Sequence, residues 1–186
     1  MKNQQWIQEG TMEGIDDDCR VISEDPDGSL WVGTYNIGVL YKIRFNGNAP
    51  NSSYEVTRYD SLHGLPEGDI YPGLINDNMV FGTSGGIYKY DEPNNVFVPD
   101  TTFGAEFGSP AREIHRISAD HSGNLWLVTY KNKTKEYETG YMKLLADGHY
   151  EWVREPFLSF SKGVIHGLYH DPDGIRTDVN RRDLQH

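Results

Sequence analysis

The chain has 186 residues, 37% hydrophobic and 24% charged, with 12% aromatic, which is enough for one domain with a core and excludes a disordered segment. Seventeen Lys and Arg against 28 Asp and Glu give a net charge of -11, a balance that argues against nucleic acid as a partner. Cys19 is the only cysteine, so an intrachain disulfide and a thiolate metal cage are excluded, and no apolar run reaches the roughly 18 residues of a membrane span.

Read from the start, Trp6-Ile7 is expected to be the outer strand of a unit that precedes the first complete one. Cys19 and Ile22 then lie on a short strand running into Asp25-Pro26-Asp27-Gly28. Asp first, Pro second and Gly last is the composition of a type I turn. The β-favouring segment Leu30-Trp31-Val32-Gly33-Thr34 is its hairpin partner, Tyr41-Lys42-Ile43 is a third strand and Tyr54–Tyr59 an outer one. The pattern then returns. Tyr71 and Leu74 lead into Asp77, and Asp77-Asn78-Met79-Val80-Phe81-Gly82-Thr83 is a shortened copy, followed by Tyr88-Lys89-Tyr90 and Val96–Val98. Ile114 and Ile117 lead into a full copy, Asp120-His121-Ser122-Gly123-Asn124-Leu125-Trp126-Leu127-Val128-Thr129, followed by Met142-Lys143-Leu144 and Tyr150–Val153. The lysine shared by the three third strands, Lys42, Lys89 and Lys143, predicts a solvent-facing position on an alternating strand.

A fourth strand, with Ile165 and Leu168, enters Asp171-Pro172-Asp173-Gly174. There the repeat is expected to break. Thr177 stands in the tryptophan position between Arg176 and Asp178, and residues 176–186 read as a polar tail, with a deliberate terminal cap as the competing view. Threonines at 34, 83 and 129 mark a unit recurring every 46 to 49 residues. Short β-rich units at that period are propeller blades. The expected fold is all-β: a partial β-propeller of about three four-stranded blades plus single flanking strands. The expected division is an outer strand and linker at 1–18, blades at 19–62, 63–110 and 111–160, the first strand of an incomplete blade at 161–175, and the tail at 176–186. Three blades cannot close a ring, so open strand edges and apolar faces predict self-association.

At Glu24–Thr34 and His121–Thr129 the chain resembles the two-component regulator propeller repeat, whose unit runs roughly Asp-x-x-Gly-Asn-Leu-Trp-Ile-Gly-Thr into a glycine-led strand. Asp60-Ser61-Leu62-His63-Gly64-Leu65-Pro66 resembles the linker between blades, ahead of Thr83-Ser84-Gly85-Gly86-Ile87. The departures are Val80 in the tryptophan slot, Val128 in place of glycine, and everything after Gly174. The resemblance implies a large propeller in the periplasmic sensor half of bacterial histidine kinases, often hybrid ones and often regulators of polysaccharide use. It therefore implies a periplasmic location, although the Met1–Trp6 start lacks the apolar core of a secretory signal and the chain expressed as given is expected in the cytoplasm. The implied role is a ligand-sensing or signal-input piece of such a sensor, responsive to an oligosaccharide or another small ligand. Alternatives are a protein-interaction scaffold using blade faces or edges, and a fragment of a glycan-active propeller enzyme.

Propellers bind ligands at one end of the ring, from loops and channel-side strands. Five residues before each turn aspartate stand Arg20, Pro72, His115 and His166, placing basic groups near a channel in three of four units. After the threonines come Tyr35-Asn36, Ser84 and Tyr130-Lys131, suited to stacking on a ring and bonding hydroxyls. Ordinary solvated strand ends are the competing reading for both sets. Trp31 and Trp126 recur at fixed positions and are expected between blades as core. Asp16-Asp17-Asp18 reads as a solvated inter-blade loop, and the Asp-x-Asp-Gly turns lack the later oxygen ligands of a calcium loop. No catalytic motif, metal set or cofactor box is present, so no catalysis, metal or cofactor is expected.

Overall fold

A computed structural model describes residues 11–47, 53–155, 157–160, 167–171 and 174–178. Strands β1 (Cys19–Glu24), β2 (Leu30–Thr34), β3 (Leu40–Phe45) and β4 (Tyr54–Tyr59) form one antiparallel sheet in chain order. The next sheet repeats the meander with β5 (Tyr71–Ile75), β6 (Asn78–Thr83), β7 (Gly86–Asp91) and β8 (Val96–Pro99). A third holds β9 (Arg112–Ala119), β10 (Leu125–Lys131), β11 (Glu136–Leu144) and β12 (Tyr150–Val153). β1, β5, β9 and β13 (Gly167–Asp171) lie side by side in that order, so the first strand of every unit faces the inside of an arc. The molecule is a partial β-propeller. Among the described residues the only helical elements are short 3-10 turns, such as Ser61–His63.

The turns explain why a tryptophan follows each aspartate. In the first sheet Gly28, at φ 80°, closes the turn by donating to the Asp25 carbonyl at 2.9 Å. Asp25 Oδ2 then accepts the Trp31 indole N–H at 2.9 Å, so the one polar group of a ring only 1% exposed is satisfied as it is buried. That ring packs against Phe81, Tyr90 and Phe97 of the next sheet, with centroids 5.0–5.9 Å away. The third sheet repeats the device. Asp120 Oδ2 accepts from Trp126 Nε1 at 2.8 Å, and the ring meets Tyr141 and Phe157. In the second sheet the four-residue turn shrinks to Asn76-Asp77, both at positive φ (47° and 60°), as a tight primed hairpin requires. With Val80 in the tryptophan slot, Phe103 and Phe107 from the following linker join the core beside it.

The expected equivalence of the three lysines does not hold. Lys42 is buried, its ammonium 4.8 Å from the Trp31 centroid and 3.6 Å from Asp25, whereas Lys89 and Lys143 are exposed. Register is the reason for the third copy: Trp31 sits opposite Lys42, but Trp126 sits opposite Tyr141. Lys143 stands two residues beyond Tyr141, so it shares the Trp126 face but lies past the ring rather than across from it. The end of the repeat also differs from expectation. Instead of one strand and a polar tail from Arg176, β14 (Gly174–Asp178) pairs with β13, Leu168 opposite Thr177 and Tyr169 opposite Arg176. Losing the tryptophan removes a packing anchor but leaves the backbone ladder, and Ile175 and Thr177 are β-branched. Trp6-Ile7, His166 and residues 179–186 lie outside the described residues.

Two outcomes follow from this packing. A Cβ on Gly33 would stand 2.4 Å from the Ile70 carbonyl oxygen, so Gly33→Ala should cost about 1–3 kcal/mol in urea unfolding, the usual penalty of overpacking. Burial works against the Asp120 charge, yet hydrogen bonds from Asn124, Trp126 and Ser122 outweigh it and hold the carboxyl below the ordinary aspartate value of 3.8. The stability it contributes is therefore complete at neutral pH and is lost as pH falls from the unfolded value through the lower folded one. Asp120→Asn should flatten that acid limb of a melting-temperature profile, and Asp120→Ala should cost about 2 kcal/mol by leaving donors unpaired.

Candidate functional site

The inner strands start at one end of the arc, where the β2–β3 loop and the linkers between sheets also lie. Arg20 leaves β1 here and makes an ion pair with Asp69, just ahead of β5. Its guanidinium lies 5.2 Å from the Tyr35 centroid and 5.1 Å from that of Tyr71. Tyr71 donates its hydroxyl to Asp69 Oδ2 at 2.9 Å, while Arg116 of β9 sits 4.7 Å from the same ring. Tyr71 is thus held against two guanidinium groups and one carboxylate. Burial opposes the Asp69 charge, but the hydrogen bonds from Tyr71 and Arg20, with the Arg20 charge, keep its carboxyl below the usual range.

His115 completes the cluster from β9. Its ring meets Tyr137 at 5.4 Å and Tyr130 at 6.5 Å between centroids. Nε2 is shielded from solvent and has no hydrogen-bond partner; the nearest carboxylate oxygen, Glu113 Oε2, is 3.6 Å away. Burial, more than the neighbouring Glu113 and Asp69 charges can offset, pushes the imidazole below its ordinary value of 6.5. The ring is neutral at pH 7. Ile37, Asp69, Tyr71, Ser84, Glu113 and His115 enclose a cavity of about 220 Å³. The Ser84 hydroxyl donates to the Glu67 carbonyl, which ties the β6–β7 turn to the linker on the cavity rim. Paired charges, ring faces and one unsatisfied nitrogen suit a ligand that brings hydrogen-bonding groups and no net charge.

The segment that builds the Asp25 turn, the Trp31 anchor and the Tyr35 loop also decides the comparison. Residues 14–36 match the two component regulator propeller family. No curated protein matches the chain. Among solved structures, the chain is similar to one described as the extracellular domain of a hybrid two component system from B. thetaiotaomicron, at 17% identity and a TM-score of 0.43. The match covers 90% of this chain and 26% of that one, so the chain spans about a quarter of the solved domain's length.

Of the residues selected from the propeller repeat, Arg20, Tyr35, Ser84, His115 and Tyr130 come to this end of the arc. Asn36 does not join the cluster, because its amide donates to Asp17 Oδ1 at 3.0 Å and serves the loop. Sequence reasoning missed Asp69, Tyr71 and Arg116. Arg116 was visible as the odd member of its column, opposite Val21 and Gly73 in the other copies. Asp69 lies in a linker with no repeat equivalent, and Tyr71 falls in a column of apolar strand residues, so neither carried a signal.

Because the folded His115 pKa is depressed, the folded chain takes up fewer protons than the unfolded chain as pH drops through 6.5. Stability is lost over that window until pH passes the lower folded value. His115→Gln should narrow the difference in melting temperature between pH 7.5 and pH 5.5 relative to the parent chain.

Proposed function

We propose that this chain is a ligand-receiving segment of a two-component sensor propeller, placed in the periplasm, with no chemistry of its own. The observation that carries the reading is the end of the inner strands, where Asp69, Tyr71 and His115 line a cavity, Arg20 braces Asp69 and Tyr71 from behind, and an imidazole nitrogen is left unbonded. The repeat match at residues 14–36 supports the sensor setting. A buried unpaired nitrogen costs stability, and a ligand hydroxyl would recover that cost once the ring turns Nε2 toward the cavity. The charges beside it already neutralise one another, which disfavours ions and favours an uncharged, hydroxylated ligand. The cavity suits one sugar-sized ring, with the Tyr35 face open above Arg20 for the next residue of an oligosaccharide.

Thermal shift across xylo-, arabino- and malto-oligosaccharides tests this, since a ligand that binds only the folded chain raises its melting temperature. At least one series should stabilise the parent chain, and Arg20→Ala and His115→Ala should each weaken that binding tenfold or more, with Ser84→Ala weakening it less. No stabilisation by any series, or binding indifferent to Arg20 and His115, overturns the reading. Hydrolysis of the added glycan that disappears in Glu113→Gln would replace the sensor by an enzyme.

A further inference from the structure

Exposed apolar side chains stand at this end on the β2–β3 hairpin loop of the first blade and on the linker from that blade to the next. Tyr35 and Ile37 of the β2–β3 loop are 64% and 66% exposed, and Leu62, on the 3-10 turn Ser61–His63, is 88% exposed. Ile37 is the ridge between the cavity described above and a separate cleft of about 380 Å³. Asn36, Arg58, Asp60, Leu65 and Glu67 line the rest of that cleft.

The two loops are tied in place. The Tyr35 N–H donates to the Asp18 carbonyl at 2.9 Å and the Asn36 amide to Asp17 at 3.0 Å. The Gly38 N–H donates to the Gly68 carbonyl at 2.8 Å, and Asp60 caps the 3-10 turn through the Leu62 N–H at 3.0 Å. Large apolar side chains on loops fixed in this way form a patch ready to be covered, since nothing has to be ordered on contact.

The rim says by what. Asp16, Asp18 and Glu67 are exposed around the patch. The nearest cations are already engaged, Arg58 by Asp60 and Arg20 by Asp69. On a chain of net charge -11, a second copy docked through this face would set acid against acid. We propose that the β2–β3 loop and the 60–67 linker form a docking surface for a basic protein segment, one that lays a large apolar side chain against the exposed Ile37 and Leu62 and lysines or arginines against Asp16, Asp18 and Glu67. The surface rests on the cleft rather than on the cavity, with Ile37 lining both and Tyr35 shared with the sugar reading. It also gives a role to the acidic triad at 16–18, which the propeller repeat does not require.

The test is an amide-resolved NMR titration of the labelled full chain with the peptide Lys-Arg-Lys-Leu-Arg-Lys-Arg. Its central Leu→Ala form and Glu-Asp-Glu-Leu-Asp-Glu-Asp serve as controls. The basic peptide should shift the amides of Tyr35–Gly38 and Ser61–Glu67, half-saturating below about 1 mM. Binding should weaken about fivefold or more with the Leu→Ala peptide, in Ile37→Ser/Leu62→Ser, and in Asp16→Asn/Asp18→Asn/Glu67→Gln, and should weaken with added salt. All these side chains are exposed, and an unchanged amide spectrum elsewhere verifies that the variants fold. Absence of shifts at millimolar peptide, equal shifts with the acidic peptide, or shifts confined to other residues would overturn the proposal. So would movement of the same amides on dilution alone, which would make a second copy the occupant.

Discussion

Every sheet in this molecule has two faces to bury and only its neighbours to bury them with. The contact that meets this demand is the aromatic cluster between the first two blades, where Trp31 meets Tyr59, Phe81, Tyr90 and Phe97. A ring of that size supplies several kcal/mol of burial when enclosed, and its indole N–H must find an acceptor before it can be. Asp25 is that acceptor, so one carboxylate both shapes the hairpin turn and admits the tryptophan to the core. The rest of the arc depends on repeating this pairing, and where it is not repeated another solution appears.

The second blade shows the substitute. Its two-residue turn has no aspartate in reach of a ring, and its slot holds Val80, so the linker to the third blade contributes Phe103 and Phe107 to the core. That linker is secured by Arg112, a buried guanidinium paired with Glu106 and Glu138 and lying against the rings of Phe107 and Trp152. A buried cation is costly unless its charge and donors are met. Here two carboxylates balance the charge and Glu138 and the Thr129 hydroxyl accept from one guanidinium nitrogen, while Nε makes an ion pair with Glu106 but no hydrogen bond, and the network binds β9, β10 and β11 to the segment that replaces the missing tryptophan.

Rigid interblade packing lets the ends of the inner strands hold charges that would otherwise be solvated. Arg20, Asp69, Tyr71, His115 and Arg116 come from three sheets or the linkers between them, and apart from Asp69 with Tyr71 and Arg116 with the His115 carbonyl their mutual contacts are distant in sequence. His115 stays neutral because two tyrosine rings and the neighbouring blade shield it. The same scaffold fixes the exposed loops at Tyr35–Gly38 and Asp60–Glu67, so large side chains stand exposed on connections while the strands carry stability.

The sequence by itself determined the repeat, because turns and hairpins are local. Asp-Pro-Asp-Gly closes a turn, Leu-Trp-Val-Gly-Thr pairs back upon it, and a period of 46 to 49 residues implies blades. Fixed offsets from the turns also gather Arg20, Tyr35, Ser84, His115 and Tyr130 at one end of the arc. Tertiary structure decided what those offsets could not express. Register placed Lys42 directly across from Trp31, whereas Tyr141 takes that place against Trp126 and leaves Lys143 two residues beyond it. Backbone pairing kept β14 a strand despite its polar residues. Arg116 meets Tyr71 only because the third blade packs beside the second, and Asp69 meets Arg20 only because the first does. A pattern along the chain records which residues share a strand face, whereas the charge of an imidazole or the partner of a guanidinium is set by whichever blade packs beside it.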